Sequence, residues 1–313
     1  MMQTIRVKGL AEAQPSPPCV ATIGFFDGVH AGHRFLLEEL KQAAQSQGLP
    51  SAVITFAQHP RQVLQTDYRP QLLSTVEEKL ALLGSTGVDY CFLMDFTPEL
   101  AALSARQFIS EVLSCRMQVQ TLLIGYDHRF GHDRTDGFEE YTLYGSEVGM
   151  RVQQAQSFSE GKISASSSVV RHSLEAGDVS FAAKILTSPY TLTGTVVHGH
   201  QMGRTIGFPT ANIKQNHPSK LCPLEGVYAV EADIADGSRH KGMLYIGNRP
   251  TLDNGEKTIE VHILDFEGDL YNQAITVRFL SSIRPSIRFA SIEALRLQLE
   301  EDKNTIENFF DTL

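Results

Sequence analysis

Two short segments of this 313-residue chain carry glycines, imidazoles, hydroxyls and a carboxamide at spacings that suit phosphate chemistry. The first is Gly24-Phe25-Phe26-Asp27-Gly28-Val29-His30-Ala31-Gly32-His33. Asp27-Gly28 supplies a turn, and Gly32 lets backbone approach a ligand closely. His30 and His33 fall where a helix is expected to begin. A helix N-terminus offers unpaired N–H groups and a positive dipole end. Two imidazoles there can donate to a triphosphate as charge develops on it. His-x-x-His is also a metal-binding spacing, but no third ligand stands out, so phosphate is the better reading. Two later segments add to it. Gly125-Tyr126-Asp127-His128-Arg129-Phe130-Gly131 carries a cation after a strand-like run. Ser166-Ser167-Ser168-Val169-Val170-Arg171 sets hydroxyls and a guanidinium ahead of a helical stretch, which suits an anion. Taken alone, the serine run reads more simply as a loop or helix cap.

The second segment is Gly203-Arg204-Thr205-Ile206-Gly207-Phe208-Pro209-Thr210-Ala211-Asn212, preceded by Gly199. Pro209 disfavours helix at Phe208 and biases the chain towards extended backbone. Extended geometry puts Thr210 and Asn212 on one side. A hydroxyl and an amide oxygen suit Mg²⁺ held together with ATP phosphates and waters. The same residues also read as a Gly-Pro turn between strands, and both readings stand on the residues alone. Glu260, in Thr258-Ile259-Glu260-Val261-His262-Ile263, alternates away from an apolar face. Such a glutamate commonly faces solvent; beside a phosphate site it is a candidate base for a hydroxyl nucleophile. Neither segment ends in the Gly-Lys-Ser/Thr of a Walker A loop.

The elements that must position these residues change character along the chain. Runs at Cys19–Phe26, Ser51–Phe56, Asp89–Phe96 and Thr121–Tyr126 alternate with helical patterns at His33–Gln47, Thr75–Gly84 and Ser104–Arg116. That rhythm predicts a parallel sheet with ligands at the carboxyl ends of its strands. From about residue 186, short β-runs follow one another: Tyr190–Val197, Gly226–Ile234, Lys241–Ile246, Thr258–Phe266 and Ala274–Leu280. They predict an antiparallel barrel or sandwich. A last helix from Ser291 to about Phe310 carries Ile292, Leu295, Leu299, Ile306 and Phe310 as an apolar stripe. Two domains are expected, residues 1–186 and 187–313.

Composition is that of a globular protein, 42% hydrophobic and 20% charged. The net charge of −9 argues against broad nucleic-acid binding. No apolar stretch reaches the ~18 residues of a membrane span, and Met1 to Pro18 shows no signal-peptide core. Cys19, Cys91, Cys115 and Cys222 lack zinc or disulfide spacing, which fits a reducing cytoplasm.

The landmarks Gly-Phe-Phe-Asp-Gly-Val-His-Ala-Gly-His at 24–33, Thr-Phe-Ala-Gln-His-Pro at 55–60, Gly-Tyr-Asp-His-Arg-Phe-Gly at 125–131 and Ser-Ser-Ser-x-x-Arg at 166–171 resemble the FMN adenylyltransferase module of prokaryotic bifunctional riboflavin kinase/FAD synthetases. Residues 189–313 resemble the flavokinase module of the same family. Its motifs stand as Pro-Tyr-x-Leu-x-Gly at 189–194, Gly-Arg-x-x-Gly-Phe-Pro-Thr-Ala-Asn at 203–212, Pro-Leu-Glu-Gly-Val-Tyr-Ala-Val at 223–230, Ile-Gly-Asn-Arg-Pro-Thr at 246–251 and Glu-Val-His-Ile-Leu-Asp-Phe at 260–266. The resemblance implies an α/β nucleotidylyltransferase domain with a Rossmann-like parallel sheet. A small six-stranded antiparallel β-barrel flavokinase domain with a C-terminal helix follows it.

The implied roles are residue-specific. His30, His33 and Arg171 act on ATP phosphates, with Gly24, Phe25, Asp27, Gly28, Gly32, Asp127, Ser166, Ser167 and Ser168 lining that site. Thr210 and Asn212 are magnesium ligands, Glu260 is the general base, and Gly199, Gly203, Gly207 and Pro209 shape the second nucleotide site. Ala165 and Ser168 depart from the family's usual Ile-Ser-Ser-Thr loop. Gln58 stands where proline is usual, and Tyr245 where asparagine is expected. The implied chemistry is riboflavin plus ATP giving FMN and ADP, then FMN plus ATP giving FAD and pyrophosphate, with Mg²⁺ as cofactor. A cytoplasmic protein, monomeric or weakly self-associating, without nucleic-acid or membrane partners, is expected. A flavin sensor with degenerate catalysis is opposed by the retention of His30, His33, Thr210, Asn212 and Glu260. A nucleotidylyltransferase for another phosphate monoester is opposed by the Pro-Thr-Ala-Asn half.

Overall fold

A computed structural model describes residues 1–8, 17–65, 67–126, 129–132, 135–158, 165–199, 202–248 and 257–313. The chain divides into two compact units, Met1–Ser167 and Ser168–Leu313.

The first unit is a six-stranded sheet of β1 (Gln3–Val7), β2 (Cys19–Ile23), β3 (Ser51–Phe56), β4 (Tyr90–Met94), β5 (Val119–Ile124) and β6 (Arg151–Gln154). All pairs are parallel, in the order β1-β4-β3-β2-β5-β6. Every residue of β2 and β3 is buried, which matches their freedom from charged residues and a sheet covered on both faces. The strand order turns between β2 and β5, and the crevice at such a switch point is the usual ligand site of open α/β sheets. The segments that leave β2 at Gly24 and β5 at Gly125 both start there.

The helix Ala31–Gln47 buries Leu37, Leu40 and Ala44 against Val20, Val53 and Leu123. It ends on Gly48, whose left-handed backbone (φ 63°) lets its N–H reach the Ala44 and Gln45 carbonyls. Thr75 and Glu78 form a reciprocal capping box on the helix Val76–Gly84. The segment expected as one regular helix from Ser104 differs. After a capped turn, Ala105–Gln107, it widens to a π-helix over Phe108–Ser114, with the Cys115 N–H on the Ser110 carbonyl at 3.2 Å. The wider turn accompanies burial of Phe108, Ile109, Val112 and Leu113 together.

The second unit is a closed antiparallel barrel of β7 (Tyr190–Val197), β8 (Ala211–Gln215), β9 (Gly226–Asp233), β10 (Arg239–Asn248), β11 (Lys257–Ile263) and β12 (Ala274–Pro285). The strands close in the order β10-β11-β8-β7-β12-β9. The helix Ser167–Glu175 and the helix Val179–Leu186 lead into it. The Leu224 N–H donates to the Leu174 carbonyl (3.0 Å), and Ser180 Oγ donates to the Leu280 carbonyl (3.0 Å).

The C-terminal helix Ile292–Asp311 packs Ile306, Leu299, Phe309 and Phe310 against Phe208, Val227 and Met243. Ile292, expected in that stripe, is exposed; the seam lies nearer the helix C-terminus. Asp302 on this helix is 2% exposed and takes a two-pronged ion pair from Arg284 of β12, at 2.9 Å from Nε and 2.8 Å from Nη2. Asp302→Ala leaves the half-hidden guanidinium without its partner, so a loss of about 3–5 kcal/mol is expected in urea unfolding. An unchanged midpoint would show that the pair is dispensable.

Candidate active sites

The turn after β2 is built on three residues with left-handed backbone: Phe26 (φ 55°), Gly28 (φ 74°) and Val29 (φ 40°). Glycine takes this conformation freely; Phe26 and Val29 hold it at a cost of order 1–3 kcal/mol each. Both side chains are sunk in the core, which offsets that cost. Asp27 is 3% exposed, and its Oδ1 accepts from the Leu73 N–H (2.9 Å) and the Ser74 N–H (3.1 Å). Ser74 Oγ in turn accepts from the Gly28 N–H at 3.0 Å. The Asp27 carboxylate therefore shapes the turn by fastening it to residues 73–74.

That turn delivers His30 as the N-cap of the helix Ala31–Gln47, with His33 in its first turn. The two rings stack at 3.7 Å, and the edge of Phe26 meets His33 at 5.0 Å. His30 Nδ1 accepts from the His33 N–H (3.4 Å), so a neutral ring carries its proton on Nε2, a donor suited to a phosphate oxygen. A Cβ on Gly32 would sit 3.0 Å from the Ala165 carbonyl and 3.3 Å from the His30 ring, so only glycine fits there unstrained. Ser167 Oγ donates to the Asp27 carbonyl at 3.0 Å, which brings the serine run to the histidine turn. Ser168 follows Ser167 on the helix Ser167–Glu175, and Arg171 lies one turn further on. Ser166 immediately precedes that helix.

Asp127 lies outside the described residues. The Arg129 guanidinium donates to the Thr135 (3.1 Å) and Asp136 (3.4 Å) carbonyls, so the cation of that segment braces its own loop. Lys79 was not visible in sequence, and Thr55 and His59 stood in the 55–60 landmark without an assigned role. Thr55 Oγ1 donates to the Phe25 carbonyl at 3.0 Å. The His59 ring meets Phe25 edge-on at 4.7 Å. Buried Lys79 donates to the Phe25 and Phe56 carbonyls.

In the barrel, register places Glu260 of β11 opposite Asn212 of β8 on one side and Tyr245 of β10 on the other. Residues opposite one another share a face, so the three form a row across neighbouring strands. Thr210 Oγ1 donates to Glu260 Oε2 at 3.0 Å. A hydroxyl, an amide and a carboxylate thus come together from segments 50 residues apart. His262 Nδ1 lies 2.8 Å from the Pro209 carbonyl and holds the approach to Thr210. Gly199 and Gly203 are close-approach glycines. A Cβ on Gly199 would lie 2.2 Å from Asn212 Nδ2, and one on Gly203 would lie 2.2 Å from the Phe208 carbonyl. Gly207 adopts φ 86° and turns the chain into Phe208 and Pro209. Tyr245, the departure noted above, has its Oη 3.0 Å from Ser286 Oγ. Arg249, Pro250 and Thr251 lie outside the described residues.

A histidine-bearing strand end on a parallel sheet, followed by a barrel with a Thr–Asn–Glu cluster, defines a two-part enzyme of phosphate transfer. The FAD synthetase family model matches residues 12–169, and the riboflavin kinase family model matches residues 186–310. The bifunctional riboflavin kinase/FMN adenylyltransferase of Escherichia coli is 39% identical over 310 residues, covering 99% of this chain and 98% of that protein. The protein of the same description from Bacillus subtilis is 34% identical over 308 residues, covering 94% and 93%. A crystal structure described as a macrolide-efflux protein from Streptococcus pneumoniae superposes with a TM-score of 0.89 at 31% identity, covering 97% of this chain and 99% of that one. Among the described residues of this chain no helix is long and apolar enough to cross a membrane. The chain belongs to the bifunctional riboflavin kinase/FMN adenylyltransferase family.

Proposed function

We propose that residues 187–313 phosphorylate riboflavin with ATP, giving FMN and ADP, and that residues 1–186 transfer AMP from a second ATP to FMN, giving FAD and pyrophosphate. The observation that carries this reading is the presence of two phosphate-directed clusters, one in each unit: stacked His30 and His33, and Glu260 hydrogen-bonded to Thr210. In the first reaction the nucleophile is an alcohol, and Glu260 is the base that takes its proton. In the second the FMN phosphate is already anionic, so His30, His33, Arg171 and the Ser166–Ser168 run work by placement and charge stabilisation. Gly24, Phe25, Gly28 and Gly32 shape the nucleotide pocket, and Asp27 holds its turn.

The oxygens of Thr210 and Asn212 are hard donors that fit Mg²⁺, and the Asn212 amide packs directly over Gly199, where a Cβ would overlap it. Bound there, Mg²⁺ would neutralise phosphate charge on ATP. Thr210 and Asn212 would hold it, and Gly203, Gly207 and Pro209 would carry the strand past it. Gly199→Ala pushes a methyl into the Asn212 amide and is expected to raise the Mg²⁺ needed for half-maximal FMN formation by about 10-fold or more. Thr210→Ala and Asn212→Ala should do the same. A metal titration that overlays wild type in all three would make these residues turn formers only. The whole reading is tested by incubating the protein with riboflavin, ATP and Mg²⁺ and following products by chromatography. FMN followed by FAD is expected; tight flavin binding without turnover would replace it with a sensor. The protein is expected in the cytoplasm, as a monomer or weak homo-oligomer.

A further inference from the structure

Lys79, on the helix Val76–Gly84, is 2% exposed. Its Nζ donates to the Phe56 carbonyl at the end of β3 (2.8 Å) and to the Phe25 carbonyl just beyond β2 (3.1 Å). It also lies 4.1 Å from the centre of the Phe25 ring, whose edge meets His59. The Phe25 carbonyl takes a second bond from Thr55 Oγ1. The ionisable groups around this ammonium are Asp27 on the turn, the Cys91 thiol on β4, His59 across the Phe25 ring, and Glu77 and Glu78 on its own helix. Asp27 Oδ1 is engaged with the 73–74 amides, and Glu78 folds back to the Thr75 N–H at 2.9 Å. Burial pushes the Cys91 thiol up to about 12, so it stays neutral near pH 7.

We propose that Lys79 is a positioning residue for adenylyl transfer, its buried ammonium pinning Phe25 by carbonyl and ring and so fixing the start of the turn that carries His30 and His33. The inference rests on the reading of residues 1–186 as the FMN adenylyltransferase. A buried cation is costly, and an apolar side chain of similar length would fill the space more cheaply. What the ammonium adds is a clamp across the neighbouring ends of β2 and β3. It is three-pronged: two charge-assisted hydrogen bonds and one cation–π contact. Phe25 stands five residues before His30, so an ångström of slack there is carried to the imidazoles.

Burial lowers the Lys79 pKa from 10.5 to about 8, with the Asp27 carboxylate opposing the shift. Below about pH 8 the clamp is charged; above it, a neutral amine keeps two weaker donors and loses the cation–π contact. Stability runs the other way. The folded pKa lies below the unfolded one, so this group makes folding more favourable as pH rises from about 8 towards 10.5. A fall in FAD formation over that interval is therefore not unfolding caused by Lys79.

The test compares full-length wild type, Lys79→Arg and Lys79→Met across roughly pH 6.5–9.5. FMN-to-FAD and riboflavin-to-FMN rates are measured in the same samples, with KM for FMN and ATP, and circular dichroism checks folding. Wild type should show an alkaline limb near pH 8 in FAD formation that FMN formation lacks. Lys79→Arg, which stays charged, should move that limb beyond the range. Lys79→Met should lose about 10²-fold in kcat/KM for FAD formation at neutral pH, with no limb left and kinase activity intact. If the methionine variant does not fold, wild type and arginine decide between them. An identical limb in wild type and Lys79→Arg, no limb in wild type, or full activity in a folded Lys79→Met overturns the proposal. A wild type that forms FMN but no FAD at neutral pH instead removes the adenylyltransferase reading, and Lys79's part with it.

Discussion

Glu260→Gln is expected to lower riboflavin phosphorylation by about 10²–10⁴-fold while FAD formation from supplied FMN continues at the wild-type rate. Glutamine keeps the shape of the side chain and an oxygen to accept from Thr210 Oγ1, so the local hydrogen bond survives. What it loses is the capacity to take the ribityl proton. The loss should therefore fall on kcat, with KM for riboflavin little changed. The second reaction uses an anionic phosphate nucleophile and a different unit. Loss of both reactions in a folded variant would defeat the assignment of one base to one site.

The converse experiment replaces the imidazoles. His30→Ala and His33→Ala should each cut FAD formation by about 10²–10³-fold, while riboflavin is still phosphorylated and FMN accumulates. His30 has the stronger claim, because it caps the helix, stacks on His33 and keeps Nε2 as a donor. Asparagine at position 30 restores the cap without the ring. Helix stability in His30→Asn should recover while FAD formation does not. Chromatography of products from riboflavin and ATP reads both arms at once. Unchanged FAD output from the two alanine variants would remove the histidines from the mechanism.

Much of this architecture was legible because the central strands are largely apolar runs without charged residues and the barrel strands alternate. Ser51–Phe56 and Tyr190–Val197 read directly from pattern. β1, β6 and β8 did not, since Gln3-Thr4-Ile5-Arg6-Val7, Arg151-Val152-Gln153-Gln154 and Ala211-Asn212-Ile213-Lys214-Gln215 are short and rich in polar residues. Their strand state comes from the neighbours they pair with. The site divides in the same way. The glycine and histidine spacing announced the first turn, yet the left-handed Phe26 and Val29 are tolerated only through their burial. Thr210 and Glu260 are joined by barrel register, which no local spacing reports. Lys79, within Val-Glu-Glu-Lys-Leu, looks like an ordinary solvated helix residue until the docking of its helix buries it.

The two sheets also differ in their exposure to self-association. A closed barrel presents no unpaired strand edge, whereas the order β1-β4-β3-β2-β5-β6 leaves two. Both edge strands are short, five residues for β1 and four for β6, and each carries an arginine, Arg6 and Arg151. Short charged edges discourage a second molecule from adding its own strand. Peeling either away would uncover apolar neighbours, Tyr90–Met94 behind β1 and Val119–Ile124 behind β6. Edge fraying in the adenylyltransferase half is thus the expected first step of heat-induced aggregation, and a neutral residue at Arg6 or Arg151 should hasten it.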